Sequence, residues 1–148
     1  MNRLLTIIGL GFFLFVSSTT LGQVELKLAP LTWKQAALTD GGELYTELCA
    51  VCHGTAGKGD GPAAGALNKP VSDLTNLATN NGGTFPQDQV NEVITGKKRV
   101  QAHGTFDMPI WGREFEALRP DWRQDRRRAS ARQKIFNLTM HVESLQAE

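Results

Sequence analysis

Apolar residues return every three or four positions in three stretches of this chain, and each stretch predicts a helix. Leu44, Tyr45 and Leu48 line one face of a helix starting after Asp40, whose carboxylate suits an N-cap. Val90, Val93 and Ile94 mark a second helix in PQDQVNEVITG, with Pro86 in its first turn and Gly96 at its stop. Ile135, Leu138, Val142 and Leu145, with Phe136 alongside, mark a third over residues 129–146. A short helix over residues 73–77, capped by Ser72 or Asp73, is also expected. Gly41 and Gly42 weaken the first helix in isolation. Gly42 either admits close approach by another helix or leaves the first turn loose.

Between these segments the pattern breaks. Residues 54–70, GTAGKGDGPAAGALNKP, hold five glycines and two prolines, so they form a loop. The loop lacks the Gly-Lys-Ser/Thr ending that a phosphate-binding loop requires. Asn80-Asn81-Gly82-Gly83 is a second break, and no internal repeat is visible. Ahead of the first helix, residues 4–16 are an apolar run without charge, behind Asn2 and Arg3. The run is short for a membrane span, and small residues follow it up to Gly22. Residues 1–22 therefore read as a secretory signal, with a retained anchor as the other reading. Residues 23–39, including Trp33, form an extension, and residues 40–148 one small domain.

Composition adds two limits. The formal net charge is +1 over 148 residues, which argues against nucleic acid as a partner. A core this small gains from a large apolar cofactor.

The chemistry concentrates in CAVCHG, residues 49–54, which holds both cysteines of the chain. A disulfide, a zinc ion and a covalent cofactor all compete for this motif. Outside the cytoplasm a free CxxC pair tends to oxidise, and the βαβ pattern expected around a thioredoxin-type pair is missing. Zinc needs a fourth ligand beyond Cys49, Cys52 and His53, from His103 or His141. Haem attachment needs this order of residues. Two thiols separated by two residues can add to two vinyl groups on one porphyrin edge, and the following imidazole can bind iron. The motif in an exported chain with no other cysteine favours haem.

A second stretch, HGTFDMPIWG (residues 103–112), places Met108 before a proline, hence on extended backbone. Beside Phe106, Pro109, Ile110 and Trp111 this methionine is either core or the sixth ligand of the iron. His103 competes for that position. Asp107 reads as a solvated turn residue and not as a proton donor.

Taken together, GGELYTELCAVCHG, GKGDGPA, MPIWG and the final KIFNLTMHVESLQ resemble the class I cytochromes c over residues 40–146. The resemblance implies an all-α fold wrapped around one haem, with N- and C-terminal helices crossing. It implies thioether bonds at Cys49 and Cys52, His53 as proximal ligand and Met108 as distal ligand. It also implies that the carbonyl of Pro62 accepts a hydrogen bond from His53 and that Trp111 lies near the haem propionates. Gly42 and Tyr45 match first-helix residues that pack on the last helix, where the usual aromatic partner is replaced by His141. Trp33 and the arginine-rich segment before the last helix fall outside the shared pattern.

With both axial positions closed, the expected activity is electron transfer and not catalysis, by a periplasmic carrier or a cytochrome subunit of a respiratory complex. The other class is a haem enzyme or gas sensor with a displaceable sixth ligand. The expected partners are redox proteins, such as a respiratory complex or terminal oxidase. Membrane association would come through a partner or the retained anchor. RPDWRQDRRRASARQK, residues 119–134, carries seven basic and two acidic residues. This run is either a solvated face or a docking patch for an acidic surface near the haem.

Overall fold

A computed structural model describes residues 38–67, 69–98 and 108–147. Residues 1–37, His103, Phe106 and Asp107 lie outside them, and with them the signal segment and Trp33.

The described residues form five α-helices and two 3₁₀ turns, with no strand among them. The first helix, α1, spans Gly41–Leu48. The Asp40 carboxylate accepts the Glu43 backbone N–H at 2.9 Å, as the N-cap reading expects. A single turn, α2 (Ala50–His53), follows after Cys49. The second expected helix is α3 (Gln87–Thr95), which ends at Gly96 in the left-handed conformation.

Two elements differ from the pattern of the sequence, and one is new. Residues 73–77 do not form a helix. There the Asp73 carboxylate takes the Thr75 N–H at 2.8 Å and the Thr75 hydroxyl at 2.7 Å, a local turn that competes with helical bonding. The last helix, α5 (Gln124–Ser144), starts five residues earlier than position 129 and absorbs the arginine-rich run. Arginine is a good helix former, and Asp125 sits in the first turn, where its charge suits the dipole. The new element is α4 (Trp111–Ala117), seven residues directly after the Met108 loop and too short to announce itself by periodicity.

α5 packs against α1, α3 and α4. Leu44, Tyr45, Ile94, Phe115, Ile135, Leu138 and Val142 are buried between them. α1 and α5 meet so closely that a Cβ at Gly41 would strike the Asn137 backbone carbonyl. A Cβ at Gly42 would stand 3.5 Å from the His141 ring, an ordinary contact. The indispensable glycine of this crossing is thus Gly41, one position before the one its sequence suggests. His141 fills the aromatic place, with its ring centroid 4.8 Å from that of Tyr45.

Lys134 occupies a core-facing position on α5 and is buried. Its ammonium donates to the Leu38 carbonyl, and Asn137 donates to that of Thr39. Burial pushes the Lys134 pKa down. Together the two side chains fasten the entry of the chain to the last helix.

Candidate haem site

The motif is presented by the α1–α2 corner. Cys49 closes α1 through its N–H to the Tyr45 carbonyl, and the N–H of His53 returns to the Cys49 carbonyl at 2.8 Å. Cys49, Cys52 and His53 thereby share one turn. The loop that follows folds back over this turn. Gly59 N–H bonds to His53 O, Gly61 N–H to Cys52 O and Ala63 N–H to Val51 O. A Cβ at Gly61 would lie 2.5 Å from the Val51 carbonyl, so only glycine fits there. This glycine serves chain-on-chain packing.

His53 is buried, and its Nδ1 lies 3.1 Å from the Ser72 carbonyl. A donated Nδ1–H leaves the Nε2 lone pair for a metal. The resemblance assigns that carbonyl to Pro62, whereas the Nδ1 contact seen here is to Ser72. Pro62 is exposed on the folded-back loop between two anchored residues, Gly61 and Ala63, while Ser72 lies on the chain that passes His53. A carbonyl has no sequence signature, so nothing in the residue pattern singled out Ser72.

Two adjoining cavities share Cys49, His53 and Met108 in their walls. The larger, about 210 Å³, runs under Leu74, Val90, Val93, Ile94 and Leu138. Cys52 and Trp111 line the smaller one. Trp111 is buried at the start of α4, 5.8 Å from the Phe115 ring centroid. The crevice therefore brings together every sequence-derived site residue except Pro62. It also contains two residues the pattern did not mark, Gln89 and the cation Lys69, together with Lys98. Tyr45 lines it too, and its hydroxyl donates to the Gly54 carbonyl at 2.8 Å, tying α1 to the end of the motif.

Cys49 and Cys52 are not joined to each other in a disulfide. Burial, with Cys52 as a second cause, pushes the Cys49 pKa up to about 12, and burial also raises that of Cys52. A raised pKa keeps such thiols protonated and makes them poor nucleophiles for disulfide exchange. His141 packs on Tyr45 and lines neither cavity. His103 lies outside the described residues. Among those described, no three His, Cys, Asp or Glu side chains converge as a metal site. Thioether bonds suit this setting, because they replace two ionisable groups by neutral sulfur. The apolar walls match the flat face of a porphyrin, with an imidazole and a thioether as iron ligands.

Fold and site together define a small all-α domain with a covalent-haem motif. The family model for cytochrome c matches residues 38–125, and the chain belongs to that family. The family binds haem c covalently and uses it for electron transfer, and Cys49 and Cys52 hold the two attachment positions. No curated protein and no solved structure matches the chain.

Proposed function

We propose that this chain carries single electrons on one haem c held between His53 and Met108, as an exported carrier or as the cytochrome subunit of a respiratory complex. The observation that carries this reading is the convergence of both thiols, the His53 imidazole and the Met108 thioether on one apolar crevice. Haem supplies a one-electron change at iron when bound. His53 offers a neutral nitrogen whose orientation the Ser72 carbonyl holds. Met108 offers a soft neutral sulfur, a ligand that favours the ferrous state and raises the potential. Leu74, Val90, Val93 and Ile94 keep water out and disfavour the extra charge of the ferric state. His53 and Met108 would both hold the iron, an arrangement that suits electron exchange and not binding of a substrate. Export rests on the charged start and apolar run of residues 1–22. No helix among the described residues is long and apolar enough to cross a membrane.

The partner presents an acidic surface. Lys69 and Lys98 stand at the crevice, and Arg119, Arg123, Arg126 and Arg128 are exposed at the α4–α5 junction. The guanidiniums of Arg119 and Arg126 lie over the Trp122 ring, at 4.2 and 4.0 Å from its centroid. This stacking pre-orders a cationic platform at small entropic cost.

Met108→Ala tests the ligand assignment. The variant retains its haem, and its ferrous form binds carbon monoxide, which the parent protein excludes. A parent protein that binds carbon monoxide readily would support the gas-sensing or catalytic reading instead. A variant whose spectrum and potential equal those of the parent would remove Met108 from the iron.

A further inference from the structure

Met108 is followed by Pro109 and Ile110, and α4 begins at Trp111. This short strap lies against the C-terminal end of α3. Gly96 caps that helix with φ +77°, and its N–H bonds to the Val93 carbonyl at 3.0 Å. A Cβ built on Gly96 would stand 2.5 Å from Cγ2 of Ile110, 3.1 Å from its Cγ1 and 3.2 Å from its Cβ. Ile110 thus occupies the space that any other residue at 96 would fill. A second close approach lies beside it, where a Cβ on Gly112 would be 3.0 Å from the Thr95 carbonyl.

The branch points of Ile110 leave it few rotamers by which to yield. Pro109, with its fixed φ, transmits any displacement to the residue ahead of it. Pushing Ile110 off the end of α3 therefore moves Met108, which lines the crevice two residues away.

We propose that Gly96 is a positioning residue for the Met108 ligand: its missing side chain lets Ile110 seat against the end of α3 and sets how far the thioether reaches into the haem crevice. This rests on the Met108 assignment above and adds a determinant of ligand strength. Any side chain at 96 loosens the iron–sulfur contact without touching haem.

The test compares five variants of the holoprotein by carbon monoxide binding to the ferrous form. Gly96→Ala opens the sixth position, and the carbon-monoxide-binding fraction rises roughly tenfold, as overpacking strain of ordinary size would produce. Gly82→Ala is the control, because Gly82 has a similar φ of +69° with nothing within 4 Å of its would-be Cβ. It carries the same backbone strain and excludes carbon monoxide like the parent. Ile110→Ala alone sets the baseline for the double variant Gly96→Ala/Ile110→Ala, which returns to that baseline. Carbon monoxide exclusion by Gly96→Ala would overturn the proposal, and so would a double variant more open than Ile110→Ala alone. If Gly96→Ala yields no holoprotein, Ile110→Ala in the same background restores the yield, and failure to restore it also overturns the proposal. Met108→Ala separates the two ideas. If it binds carbon monoxide and Gly96→Ala does not, only the positioning role fails. If Met108→Ala excludes carbon monoxide, the ligand assignment itself fails.

Discussion

Tyr45 shows how much one side chain does at this site. Its hydroxyl reaches Gly54, its ring meets His141, and it forms part of the crevice wall. Burial is the largest cause that pushes its pKa up to about 12, followed by Cys49 and Asp60. The first of these persists once the thiols are bonded to haem. The folded phenol keeps its proton while the unfolded one releases it above pH 10. Its contribution to stability is therefore complete below pH 10 and is lost as pH rises towards 12. Tyr45→Phe removes a buried hydrogen bond and lowers stability by about 1 kcal/mol at neutral pH. It also flattens the alkaline decline, which denaturant unfolding of both proteins on either side of pH 10 would measure. Equal alkaline slopes would show that the decline comes from other groups. Single residues were the most legible scale for chemistry that sequence order encodes. Cys49, Cys52 and His53 announce themselves by spacing, and Met108 by the proline after it. Ser72 did not, because it acts through a backbone carbonyl that any residue carries.

Among the elements, legibility followed length and periodicity. α1, α3 and most of α5 each show an apolar stripe, and each forms where the stripe predicts. α4 spans two turns and shows no repeat, so nothing marked it as a helix. The start of α5 was hidden by charge. Arg123–Arg128 carries no apolar stripe, yet arginine has high helix propensity and the run extends the helix over α4. Gly41 and Gly42 look alike in sequence, and only the approach of the α5 backbone distinguishes them. Lys134 reads as a surface residue, and the carbonyl of Leu38 explains how it is buried instead.

For the whole molecule the question is how electrons find the haem. The family shows electron transfer, and the partner is our proposal. None of the α4–α5 arginines lines the crevice, whereas Lys69 and Lys98 do. Exposed pairs such as Arg119–Asp121 and Arg123–Asp125 contribute little to stability, which leaves this surface free to serve association. Charge reversal at Arg123, Arg126 and Arg128 slows reaction with an acidic redox partner several-fold at low salt, and the rates converge as salt screens the charges. Rates that coincide at every ionic strength would make this run a solvated face.

The central claim is that one haem is bonded to this chain through Cys49 and Cys52. The mass of the purified, denatured holoprotein after extraction with acidified organic solvent tests it most directly. The account predicts a polypeptide heavier by one haem, and loss of that mass when Cys49 and Cys52 are both replaced by alanine. A polypeptide of unmodified mass, with all haem in the organic phase, would contradict it.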